Sequence, residues 1–145
     1  MSKQDSIDSL GALVRLRGSE VERLQADLAG QEATRARYRN NLARLAALAE
    51  GSGPSGSLAP ALALNCGAYK QNVLAMADAH RTDLQLHEAN MAVSQRRLSE
   101  AWTRCELLGK VHERQQDAQR CEQERATRKR EDDIATQSWM AGRAA

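Results

Sequence analysis

Residues Glu50–Pro60 read EGSGPSGSLAP, and no other part of the chain has this composition. Gly, Ser and Pro at such density cannot continue a helix, so the segment marks a connector. On its N-terminal side, positions spaced alternately three and four apart are Leu10, Val14, Arg17, Val21, Leu24, Leu28, Gln31, Arg35, Tyr38, Leu42, Leu45 and Ala49; nine of these twelve are apolar. That spacing predicts one amphipathic helix with a coiled-coil seam. Gly11 and Gly18 weaken its first turns by ~1 kcal/mol each relative to Ala. Ser19 with Glu22 forms a capping-box pattern, which predicts that the stable part of the helix begins there.

On the C-terminal side the pattern resumes with Tyr69, Val73, Met76, His80, Leu84, His87, Met91, Ser94, Leu98, Ala101, Cys105 and Leu108. This run carries one extra residue, which would locally unwind a supercoil. Two seams of matching length joined by a connector predict an all-α fold: a long antiparallel two-helix coiled-coil hairpin with a C-terminal helical overhang. The expected organisation is a single coiled-coil domain over residues 1–145. Its first arm covers about 6–50, its turn 51–60 and its second arm about 61–140. If residue 50 faces residue 61, the start of the chain reaches only about residue 110, and the rest overhangs by ~40 Å.

Within the expected overhang, Arg114–Asp133 reads RQQDAQRCEQERATRKREDD, whose only non-polar members are Ala118, Cys121 and Ala126. A helix polar all round is either solvated, held by its own ion pairs, or enclosed by partners. Glu122/Arg125, Glu124/Arg128, Arg128/Asp132 and Lys129/Asp133 are spaced for ion pairs along one helix, each contributing a few tenths of a kcal/mol.

Composition excludes several function classes. The 145 residues include no Phe, two Trp and two Tyr, enough for a narrow seam but not a globular core. The 21 basic and 19 acidic residues nearly cancel, to a formal charge of +2. Such balance argues against nucleic acid or anionic lipid as the main partner. Arg128–Arg130 runs directly into Glu131, Asp132 and Asp133, which cancel it as a phosphate-binding face. Three widely spaced cysteines make no disulfide framework, and the reducing cytosol is the expected compartment. The longest apolar run, LAPALAL at Leu58–Leu64, is too short to span a bilayer, so no direct membrane insertion is expected.

No enzymatic chemistry emerges either. Gly51, Gly53 and Gly56 fit G-x-G-x-x-G, but no strand precedes them and Pro54 interrupts them; Ser57 stands where a phosphate loop needs Lys. His80 and His87 are seven residues apart, as are Cys105 and His112. Their backbones would be ~10 Å apart, too far for one metal ion. They read as polar breaks that fix register. No catalytic residue, cofactor site or metal site is assigned.

Three local patterns together resemble the FliJ family of the bacterial flagellar type III export apparatus. They are YRNNL at Tyr38–Leu42, YKQNVLAMADAHR at Tyr69–Arg81, and HERQ at His112–Gln115 followed by RKREDDIA at Arg128–Ala135. Length, hairpin order and the longer second arm agree, so the resemblance covers nearly the whole chain.

The resemblance implies a non-enzymatic stalk like that of rotary ATPases. Its end carrying both termini enters the hexameric ring of the export ATPase, and its turn-side end reaches the cytoplasmic part of the membrane-embedded export gate. It also implies escort of export chaperones and a cytoplasmic location, peripheral to the inner membrane through the apparatus. Carried over residue by residue, the gate-side surface falls on Tyr38, Tyr69, Val73, Met76 and His80. ATPase contact falls on Glu113, Arg114, Arg128, Lys129, Arg130, Asp132 and Asp133. Gln31 and Thr34 depart from the family pattern, where larger apolar or aromatic residues are usual. The readings set beside this one are the stalk of a virulence type III system and a generic coiled-coil scaffold. Tyr69, Val73 and Met76 also admit a reading as seam residues with no partner.

Overall fold

The computed structural model describes residues 2–51 and 59–143. These form two helices, α1 (Lys3–Gly51) and α2 (Pro60–Arg143), packed antiparallel as an all-α hairpin, with no strand among the described residues. The expected turn at 51–60 falls mainly on 52–58, which lie outside the described residues.

The helix starts follow from local chemistry. The Asp5 N–H donates to Ser2 Oγ at 3.2 Å, and the Ser2 N–H donates to Asp5 Oδ2 at 2.8 Å. This reciprocal capping box uses Asp in place of Glu and starts α1 at Lys3. α1 therefore starts three residues before the expected 6 and runs unbroken through Gly11, Gly18 and Ser19, so the pattern at Ser19–Glu22 caps no helix start. Pairing with α2 outweighs two glycine penalties of ~1 kcal/mol each. α2 opens with Pro60, whose fixed φ suits a first helical position and whose missing N–H would have no partner there. The Ala59 carbonyl accepts the N–H groups of Leu62 and Ala63, at 2.9 and 3.0 Å.

The helices contribute to two units: Met1–Glu20 with Ala101–Ala145 (the terminal unit), and Val21–Glu100 (the connector unit). All twelve seam positions read from α1 are buried or half-buried, those up to Arg17 in the terminal unit and the rest in the connector unit.

In the connector unit, Val21, Ala49, Val73, Ala77 and Met91 are buried. The α2 seam here differs from the expected one. Lys70 and Ala77 are covered, whereas Tyr69 and Met76 are exposed. With Lys70 and Ala77 in the seam, the spacing of three and four never breaks and the extra residue disappears. The physical reason is phase: a strict heptad keeps one stripe facing the partner helix whatever the size of its side chains. Ala77, 4% exposed, fills its place with a methyl group, and Lys70 covers the seam with its aliphatic stem.

A polar layer sits in this seam. Gln31 Nε2 donates to Ser94 Oγ at 3.0 Å, and His87 Nε2 donates to the Gln31 carbonyl at 2.8 Å. A carbonyl can only accept, so the proton lies on His87 Nε2. The Tyr38 ring stands 5.5 Å edge-on from His80 and 5.7 Å from His87. Arg39 crosses to Glu88 at 2.9 Å.

These pairs correct the register. The expected alignment put residue 50 opposite 61 and the chain start near 110. Instead Asn41 meets His80 in the connector unit, and Lys3 meets Glu122 in the terminal unit. The offset is about three helical turns. α2 starts at Pro60, and the register carried forward brings Ala49 level with Val73. The first turns of α2 therefore run ahead of the pairing.

In the terminal unit, Ile7 and Ala101 are buried. Lys3 Nζ lies 2.6 Å from Glu122 Oε2, and Gln119 Nε2 donates to Gln4 Oε1. Gly11 is buried under the His112 imidazole; a Cβ on Gly11 would stand 3.0 Å from His112 Nε2. Beyond Glu122 no described residue of α1 remains to pair, and every residue from Arg120 to Arg143 is exposed. The overhang thus begins near Gln123 and extends ~30 Å, shorter than expected because the register brings α1 further along α2.

Candidate functional site

The residues singled out from the sequence are divided between the two units. In the connector unit, the helical phase divides them. Val73 is 6% exposed and lies in the seam. Tyr38 and His80 are half-buried at the seam edge, held ring against ring. Tyr69 at 49% and Met76 at 57% face solvent. Leu48, Leu62, Leu64 and Leu74 are also exposed in this unit.

From α1 the sequence reading named only Tyr38. A groove of about 670 Å³ is lined by Asn41, Arg44, Leu45, Ala47 and Leu48 of α1, with Met76 and His80 of α2. Asn41 Nδ2 lies 3.5 Å from His80 Nε2 at its edge. The available signal was Leu48, a leucine three residues after seam position Leu45 and itself off the heptad. Gln31 and Thr34, the departures from the family pattern, bond within the hairpin: Gln31 joins the polar layer, and Thr34 Oγ1 donates to the Gly30 carbonyl at 3.1 Å.

In the terminal unit, Glu113, Arg114, Arg128, Lys129, Arg130, Asp132 and Asp133 are all exposed. Glu113 and Arg114 stand where α2 is still paired with α1; the other five stand on the overhang. Of the expected ion pairs, Arg128–Glu124 is made, at 3.5 Å. Glu122 turns instead to Lys3, a partner the corrected register supplies. Among the described residues, no ion pair joins Arg128 to Asp132 or Lys129 to Asp133, so most of this charge is left to solvent. Near the end of α2 the Arg143 guanidinium lies 4.8 Å over the Trp139 ring, while Ile134, Trp139 and Met140 are exposed.

Among the described residues, no group of three or more His, Cys, Asp or Glu could hold a metal ion. No described helix is long and apolar enough to cross a membrane. What the geometry offers is two helices displayed to partners.

A two-helix coiled coil with an uncovered polar extension defines a class by its architecture: the long α-helical hairpins. The chain belongs to the Flagellar FliJ protein family, whose model matches residues 6–144. It is thus a flagellar export-associated protein of a family of non-enzymatic components. No curated protein matches the chain, and no solved structure does.

Proposed function

We propose that this protein is the central stalk of the flagellar type III export apparatus. Its terminal unit enters and stimulates the hexameric export ATPase, while its connector unit contacts the cytoplasmic part of the export gate. The observation that carries this reading is the overhang: residues 123–143 of α2 are exposed on every side and carry charge of both signs up to Asp133. A helix without an apolar stripe gains little from packing on one partner face. It is suited to an enclosing ring of polar and charged loops that touches it from all directions. Arg128, Lys129, Arg130, Asp132 and Asp133 supply those contacts on the overhang, with Glu113 and Arg114 at its root.

On the connector side, exposed Tyr69 and Met76 carry the gate contact, with Tyr38 and His80 beside them and Val73 supporting them from the seam. Escort of export chaperones is compatible with the same surfaces. The chain works in the cytoplasm and reaches the membrane through the apparatus.

The test is reversal of Arg128, Lys129 and Arg130 together. Charges on an exposed helix contribute only tenths of a kcal/mol to folding, so the melting temperature should hardly move. Inside a ring the same change sets like charges against acceptor groups, costing several kcal/mol of binding. Stimulation of ATP hydrolysis by the purified export ATPase should disappear. Stimulation equal to the wild type would refute the stalk role of this segment.

A further inference from the structure

We propose that the groove of the connector unit is a docking site for an amphipathic helix of a partner protein, one that brings an apolar anchor and a flanking carboxylate. This rests on the reading of that unit as a partner surface and specifies the chemistry of what docks there.

The groove arises from the seam. At this level two of the buried heptad places are taken by alanines, Ala49 level with Val73 and Ala77 level with Leu45, while Met76 and Leu48 stand beside the seam. Met76 and Leu48 are each about half exposed and, with Leu45 and Ala47, give the groove its apolar lining. The groove opens to solvent between the two helices. A small molecule would leave much of its surface wet there, whereas pockets for such ligands enclose most of the ligand. A row of side chains from one face of a helix, spaced three and four apart, matches an open apolar groove between helices.

Charge selects among such helices. Among the described residues, the polar groups lining the groove are Asn41, Arg44 and His80, and no carboxylate lines it. Elsewhere in the unit, Arg35 pairs with Glu32, Arg39 with Glu88 and Arg81 with Asp78, while Arg23, Arg37, Arg96 and Arg97 make no ion pair among the described residues but do not line the groove. Arg44 has no ion-pair partner among the described residues. A cation left without a counter-charge beside exposed apolar side chains complements a carboxylate flanking the anchor of the incoming helix. One permanent cation is too little for an anionic membrane surface, which polybasic clusters recognise, or for a nucleic-acid backbone.

The experiment titrates the full chain with two labelled amphipathic peptides that share leucines at helical spacing. One carries glutamates on its flank and the other lysines at the same places. The glutamate peptide should bind the wild type roughly tenfold more tightly than the lysine peptide. Arg44→Glu should invert that order, and Ala47→Trp, which fills the groove, should abolish binding of both. Circular dichroism establishes that each variant remains helical. Equal affinity for the two peptides, or no binding of the glutamate peptide, overturns the proposal. The gate reading is separated by Tyr69→Ala, since Tyr69 does not line the groove. Gate binding lost in that variant but indifferent to Arg44→Glu and Ala47→Trp would refute the groove and leave the gate contact standing.

Discussion

Replacing Gln31 with Leu should stabilise the protein. Gln31 Oε1 is shut off from solvent and has no hydrogen-bond partner among the described residues. Its Nε2 makes one bond, to Ser94 Oγ at 3.0 Å. A buried polar atom left unsatisfied costs about 1–3 kcal/mol, against a net contribution of about 0.5–1.5 kcal/mol from one ordinary hydrogen bond. Leu removes the penalty, adds apolar area to the seam, and forfeits that one bond. Ser94 is not stranded, because a helical serine can turn its hydroxyl to the carbonyl one turn back. The His87 bond is unaffected, since it goes to the Gln31 backbone. The balance favours Leu by about 1–2 kcal/mol, or a rise of about 3–6 °C in melting temperature for a chain of this size. Thermal and urea unfolding followed by circular dichroism at 222 nm would measure it. Ser94→Ala alone should destabilise, because it leaves both Gln31 side-chain polar atoms unsatisfied, and the double substitution should return close to Gln31→Leu. A loss of 1 kcal/mol or more in Gln31→Leu would mean that the polar layer contributes net stability, and the reasoning would fail.

Other outcomes follow from the division between seam and surface. Val73→Ala should lower stability by about 1–3 kcal/mol as a core truncation, with gate affinity unaltered, whereas Tyr69→Ala should leave the melting curve in place and weaken gate binding in a pull-down. Gly18→Ala should raise stability by about 1 kcal/mol, since nothing lies within 4 Å of the added Cβ. Gly11→Ala should show none of that gain, because its Cβ would press on His112 at 3.0 Å; equal effects in denaturant melts would contradict the close approach. Ending the chain after Gln123 should leave the melting temperature within about 2 °C of the full chain, since the segment removed packs on nothing, while stimulation of the export ATPase is lost in a hydrolysis assay.

The heptad made the two helices legible, and every α1 position it named from Leu10 to Ala49 is buried or half-buried, but it stopped one place short and left out Ile7, 3% exposed. In α2 it failed locally at Tyr69 and Met76. Large apolar residues lie one place before small or polar ones, Lys70 and Ala77, that hold the phase, and size was the misleading cue. Register was harder to read because a repeat of three and four matches itself at every seventh residue. Side-chain chemistry selects the offset: Gln31 opposite Ser94, Gly11 beneath His112, Lys3 against Glu122. The start of α1 at Ser2–Asp5 was written in the sequence as a capping box, but a second such pattern at Ser19–Glu22 competed with it. The charged overhang could be read directly, as nothing apolar interrupts it before Ile134. The groove could not, since it depends on which face of α1 Leu48 occupies once the helices are aligned.

The placement of the aromatic residues separates the two units spectroscopically without any label. Both tryptophans, Trp102 and Trp139, belong to the terminal unit and are 54% and 59% exposed, while both tyrosines, Tyr38 and Tyr69, belong to the connector unit. Tryptophan emission is therefore a signal from the proposed ATPase end alone. Enclosure of the overhang would shift that emission to shorter wavelength and shield it from a soluble quencher. Occupation of the connector unit would leave it unchanged, so one cuvette distinguishes which end of the protein a partner has taken.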